Sequence, residues 1–174
     1  EAVTIRKVTF EPGRWNSRTG IMSLKKAGIR IMIRSDRQDG GFESHFTSEK
    51  FYSNNPEYRK LFNSMAISRP KDGELAIRFE NLIPGVSYQL DTYHFQAGVG
   101  PGVRQMYFED PDVPSHPGPL FTYHNADEGP EGTARNAVRV RTVWVAESSE
   151  KTLYIKSGPG FNRAVLNSLV LSRK

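Results

Sequence analysis

Gly73 to Phe95 reads GELAIRFENLIPGVSYQLDTYHF, two alternating apolar runs that flank Asn81-Leu82-Ile83-Pro84-Gly85-Val86-Ser87-Tyr88. In the first run Leu75, Ile77 and Phe79 alternate with Ala76, Arg78 and Glu80, a period of two that buries one face of a strand and wets the other. In the second, Tyr88 and Leu90 point inward while Gln89, Asp91 and Tyr93 point outward. Pro84 presets φ for the second turn position and Gly85 supplies the positive φ that a type II turn needs next. Leu82 and Tyr88 bracket the turn so that Leu82 plugs one end of a core and the Tyr88 hydroxyl reaches backbone across the corner. The stretch therefore predicts an all-β protein, an antiparallel β-sandwich.

Working outward, Val3–Phe10 is a predicted strand with a break in its alternation at Arg6-Lys7 that marks a bulge. Ile29–Arg34 sets Ile29, Ile31 and Ile33 against Arg30, Met32 and Arg34. Val138–Ala146 sets Val138, Val140, Thr142 and Trp144, a residue expected in the core, against Arg139, Arg141, Val143 and Val145. Lys151–Ser157 and Val165–Leu171 close the chain. Asn55-Pro56 has the form of an N-cap followed by proline at the first helical position, so one short helix is expected to about Phe62.

The 174 residues, 37% of them hydrophobic, suffice for one substantial core, and residues 1–174 are expected to form one domain. The chain has no cysteine, which excludes a disulfide framework and thiolate metal sites. No run approaches the ~20 apolar residues of a membrane-spanning helix. The chain opens at Glu1, as expected of a processed protein or an excised module.

The formal charge is +5, and arginine, which outnumbers lysine, suits bidentate contacts with carboxylate, phosphate or sulfate. Residues 96–133 hold six carboxylates against the single base Arg104, which leaves 23 basic and 13 acidic residues elsewhere, about +10. The same segment holds 12 of the 26 glycines and prolines, the composition of a long loop system that is functional, disordered or partly built from short edge strands. If the strands share one sheet, Arg30, Arg34, Arg78, Arg139, Arg141, Tyr154 and Lys156 form a basic platform. A solvated face would show the same alternation.

The four histidines show no metal-site spacing, and no nucleophile elbow, Walker loop or dinucleotide fingerprint is present. Asp36 and Asp39 could offer oxygens to a structural calcium, though an ordinary turn explains them as well. Trp15, on a Pro-Gly loop beside Arg14, either stacks on a sugar ring or folds back over the core.

Tyr154-Ile155-Lys156-Ser157-Gly158 is similar to the Tyr-x-Lys-x-Gly strand of jelly-roll alginate lyases, but the Gln-x-His strand that such enzymes pair with it is missing. A lyase is thus kept only as an alternative. Gly73–His94, with Leu82-x-Pro84-Gly85-x-x-Tyr88, and the closing Val165-Leu166-Asn167-Ser168-Leu169-Val170-Leu171 together resemble the galactose-binding-like jelly-roll carbohydrate-binding modules, including malectin-like ones, of bacterial polysaccharide-degrading enzymes. The corner also resembles that of fibronectin type III domains, which keeps a structural or adhesion domain as a second reading.

The carbohydrate-module resemblance implies a jelly roll with adjacent terminal strands, attached to a catalytic domain, secreted or at a bacterial cell surface, binding a polysaccharide without hydrolysis and needing no cofactor. It implies contacts from Trp15, Tyr93, His94, Arg104, Tyr107, Tyr123 and His124, with Arg78 and Arg139 as anion contacts. The arginines tip the expected glycan toward an acidic or sulfated one, such as a marine galactan. The acidic segment argues against nucleic acid.

Overall fold

A computed structural model describes residues 4–9, 15–16, 21–26, 28–37, 42–44, 64–94, 103–113, 120–124, 138–159 and 163–174, and the statements below concern these. In chain order the strands are β1 (Thr4–Thr9), β2 (Trp15–Asn16), β3 (Ile21–Lys26), β4 (Ile29–Ser35), β5 (Phe42–Ser44), β6 (Ser64–Ile67) and β7 (Glu74–Glu80). There follow β8 (Ser87–His94), β9 (Val103–Glu109), β10 (Leu120–His124), β11 (Val138–Val145), β12 (Glu150–Ser157), β13 (Val165–Leu166) and β14 (Ser168–Arg173). All pairings are antiparallel. One sheet runs β1-β14-β8-β11, a second β10-β9-β12-β7-β4-β3-β2, and a third, small sheet β13-β6-β5. The helix expected near 55–62 lies outside the described residues.

The two larger sheets face each other as the alternation requires. Ile29, Ile31 and Ile33 of β4, Leu75, Ile77 and Phe79 of β7, and Leu153 and Ile155 of β12 are buried in one core with Tyr88 and Leu90 of β8 and Leu169 and Leu171 of β14. Trp144 of β11 packs against that core, its ring 5.5 Å from Phe79 in the opposite sheet and 5.9 Å from Tyr88 in its own. Full burial of a phenylalanine such as Phe79 stabilises by roughly 1.5–3 kcal/mol relative to exposure.

The corner forms as the sequence predicts. Gly85 has φ +81°, Val86 N–H donates to Ile83 O across the turn, and Ile83 N–H donates to the Tyr88 hydroxyl at 2.9 Å. Leu82 is buried beneath it. The corner also binds the β11–β12 connection: Leu82 N–H donates to Ser149 O, Gly85 N–H to Ala146 O, and Ala146 N–H to Val86 O.

The terminal strands β1 and β14 do lie side by side, and the register of β1 slips between Ile5 and Val8, where the bulge was expected. Two elements differ from the sequence reading, and a third, the 68–73 connection, bears on the expected calcium carboxylates. The last strand is divided at Asn167, whose N–H donates to Tyr93 O, so that β13 joins the small sheet through β6 while β14 joins β8. The glycine-rich segment carries β9, which sends Met106 and Phe108 into the core. The 68–73 connection is an ordered turn: Asp36 accepts from Arg69 N–H at 2.8 Å and Glu74 N–H at 3.0 Å, occupying both oxygens of one of the two expected calcium carboxylates. Asp39 lies outside the described residues.

Replacing Tyr88 by phenylalanine keeps the buried ring and removes only the hydroxyl that receives Ile83 N–H. The expected loss is about 1 kcal/mol in urea unfolding with an unchanged m-value. An unaltered midpoint would show that the corner hydrogen bond adds nothing to stability.

Candidate functional site

The arginines do not share one surface. Arg30, Arg34, Arg78 and Lys156 lie on the outward side of the seven-stranded sheet, whereas Arg139 and Arg141 lie on the outward side of the four-stranded sheet. On the larger sheet carboxylates interleave with them. Arg78 sits between Glu80 at 3.2 Å and Glu150 at 2.9 Å, Arg30 reaches Glu80 at 3.4 Å, and Lys156 reaches Glu109 at 2.9 Å. The hydrogen bond that the Lys156 ammonium donates to Glu109 holds it above its ordinary pKa, against its partial burial. It is therefore a fixed cation, and its Nζ lies 5.6 Å from the Tyr154 ring centroid. Gly158, the last residue of the lyase-like segment, has a packing reason: a Cβ there would come within 2.6 Å of Gln105 Cβ.

The outward side of the four-stranded sheet is arranged differently. Asp91 takes a two-pronged contact from Arg141, Nε to Oδ1 at 2.7 Å and Nη2 to Oδ2 at 3.0 Å, and a third contact from Gln89 at 3.3 Å. Those bonds, Arg141's first, hold the Asp91 carboxyl below the usual carboxylate range despite burial. Beside this fork, Tyr93 and Arg139 are cross-strand partners in direct register. Arg139 is exposed and makes no hydrogen bond or ion pair with the described residues. Val143 and Val145, 51% and 58% exposed, continue the same side of β11 toward the corner.

His94, next along β8, points the other way. It is fully buried, Nδ1 donating to Val165 O and Nε2 accepting from the Thr92 hydroxyl at 2.8 Å, with its ring edge-on to Phe108. A carbonyl can only accept, so the proton of the neutral ring is on Nδ1.

The remaining expected contacts scatter. Trp15 is on β2 and Tyr123 and His124 are on β10, opposite edges of the seven-stranded sheet, separated by six inter-strand steps of roughly 4.8 Å. Arg104 pairs in register with Tyr123. Tyr107 pairs with Lys156, on the outward side of that sheet. The structure thus brings together Tyr93 with Arg139 and Arg104 with Tyr123, and separates these pairs from Trp15 and Arg78.

A cleft of about 620 Å³ opens at the corner end of the sandwich. Its walls are the 110–113 turn, the 144–148 stretch, and Glu150, Lys151, Thr152 and Tyr154 of β12. Lys151 is 10% exposed in its side chain and binds Asp110 at 2.5 Å and Asp112 at 2.6 Å. Burial pulls its pKa down, but those two carboxylates outweigh it and hold the ammonium above the ordinary lysine value. Trp144, expected as a core residue, packs on the core and also forms part of this wall, with its indole N–H buried without an acceptor among the described residues. Sequence reading missed the cleft. Its only sequence signals, the Asp-Pro-Asp turn and the lysine at an inward strand position, lie about forty residues apart.

No protein-family model matches the chain, and no curated protein matches it. Among solved structures, the xylanase 10B modules of Clostridium thermocellum in complex with xylohexaose, a family 22 carbohydrate-binding module with a family 10 glycoside hydrolase, align with 98% of this chain and 28% of that chain. The identity is 13% and the TM-score 0.45. The family 35 carbohydrate-binding module of Cellvibrio japonicus Abf62 aligns over 81% of this chain and 91% of its own, at 9% identity and a TM-score of 0.36. A family GH115 4-O-methyl-α-glucuronidase with specificity for decorated arabinogalactans aligns over 63% of this chain at 18% identity and a TM-score of 0.41. This chain spans only 14% of that glucuronidase. At such scores the alignments say nothing of ligand or activity.

Burial moves the His94 pKa from 6.5 to about 4, only partly offset by the Val165 carbonyl. The unfolded chain then binds a proton at His94 near pH 6.5 that the folded chain refuses until about pH 4. Stability is complete above that window and falls through it, by on the order of 3 kcal/mol. Urea midpoints at about pH 7 and about pH 4.5 check this, and His94→Gln should flatten the difference. Equal pH slopes in the parent and in His94→Gln would refute the assignment.

Proposed function

We propose that this chain is a non-catalytic carbohydrate-binding domain that holds an acidic or sulfated polysaccharide on the outward side of its four-stranded sheet. The supporting observation is the exposed Arg139 in cross-strand register with Tyr93, next to the Asp91–Arg141 fork and Gln89. A tyrosine offers an aromatic surface to sugar C–H groups, the exposed Arg139 guanidinium, which also acts at a distance on the Asp91 carboxylate, a planar fork to carboxylate or sulfate, and Gln89 with the Asp91–Arg141 pair an already ordered hydrogen-bonding row. Such a domain would serve an attached catalytic domain outside the cell by keeping it on the polymer. A structural calcium belongs to the same reading only as an addition, because no group of three histidine, cysteine or acidic side chains able to hold a metal is found among the described residues.

A second reading has its own observation. The exposed Val143 and Val145 on the same side of β11 suit packing against a neighbouring domain, as in a structural or adhesion module.

Affinity electrophoresis through gels containing carrageenan, porphyran, alginate or a neutral control, each repeated with chelator, tests the proposal. Retardation by an acidic polymer should weaken when salt rises from about 0.1 M to about 1 M, which shortens the Debye length from ~10 to ~3 Å. Arg139→Ala should weaken it about tenfold, near 1.4 kcal/mol. No retardation by any polymer would move the assignment to the structural domain, and salt-independent retardation would remove the anionic ligand.

A further inference from the structure

We propose that the cleft at the corner end is a second ligand site, built for an uncharged, hydroxyl-rich ligand such as a short neutral oligosaccharide. Its volume, about 620 Å³, falls within the roughly 300–1,000 Å³ of small-molecule sites. Its walls are fixed before any ligand arrives. Lys151 clamps the 110–113 turn through Asp110 and Asp112, and three backbone hydrogen bonds tie the 146–149 connection to the corner. Preordered walls reduce the entropy lost on binding.

The lining gives the ligand class. Trp144 and Tyr154 provide aromatic surface in its wall. Among the described residues the carboxylates Asp110, Asp112, Glu147 and Glu150 of the lining are paired only with Lys151 and, at Glu150, with Arg78, which Glu80 shares, so the lining keeps a net negative charge. Ionised carboxylates only accept hydrogen bonds, so they welcome hydroxyl donors and repel uronate or sulfate groups. The cleft and the Arg139 surface therefore select opposite ligands, and neither site depends on the other.

Calorimetric titration of the whole chain with neutral xylo-, cello- and galacto-hexaoses, up to about 10 mM, tests the inference, a range in which even a Kd of about 1 mM is seen. At least one hexaose should bind with an affinity insensitive to salt. Tyr154→Ala, and Val113→Arg at a wall position 54% exposed, should each weaken it about tenfold or more, while Arg139→Ala leaves it unchanged. Should Tyr154→Ala fail to fold, the exposed Val113→Arg carries the test alone. No heat with any neutral hexaose, or full binding by the cleft variants, would overturn the site. Binding confined to glucosamine oligomers and lost in high salt would overturn the uncharged class. Loss of acidic-polymer binding in Arg139→Ala concerns the other surface and leaves this result intact.

Discussion

Between Glu80 and Tyr88 the chain leaves the seven-stranded sheet and enters the four-stranded one, and the other packing follows from how that step is made. Gly85 supplies the left-handed residue, Leu82 fills the end of the core, and the Tyr88 hydroxyl receives Ile83 N–H, so the crossing has one geometry. The same corner pairs with residues 146–149 and so sets the end of β11. Trp144 is thereby placed against both Phe79 and Tyr88. The corner is thus part of the core and part of the frame that holds the end cleft open.

Most individual strands were legible because each has one dry face. Ile29, Ile31 and Ile33, or Leu75, Ile77 and Phe79, can satisfy that pattern only as strands. The allocation of strands to sheets was not legible, since alternation is identical on either sheet of a sandwich. That is why Arg78 and Arg139, which the sequence lets one place side by side, end on opposite outer surfaces. The sequence allowed only short edge strands in the segment of β9 for a different reason: Met106 and Phe108 are two buried residues set in a stretch rich in glycine and proline, and nothing in it shows that β9 lies between β10 and β12. The division at Asn167 was invisible because the residues on both sides of it are buried, one pair under the small sheet and the rest under the sandwich.

Of the expected contacts, the Tyr93–Arg139 pair was within reach of sequence, because β8 and β11 each show which residues face outward. Their register was not, and it decides whether the two side chains meet. The cleft could not be read at all. It needs the 110–113 turn to meet β12, and that meeting rests on an ion pair between an inward lysine and two carboxylates of a loop.

That ion pair also corrects a simple use of net charge. The chain is basic, and its carboxylates concentrate in residues 96–133. In the fold this segregation is partly undone: Glu109 goes to Lys156, and Asp110 and Asp112 go to Lys151. The described carboxylates of the acidic segment act first as counterions for β12. The exposed Arg139 and an acid-rich cleft then coexist on a molecule of modest overall charge, each felt only within about a Debye length, ~8 Å at physiological salt. The field that an approaching charge meets accordingly depends on which surface it approaches rather than on the sum of +5. The two surfaces diverge because Arg139 lies at the end of β11 paired with His94 and Tyr93, far from the 144–148 stretch that walls the cleft.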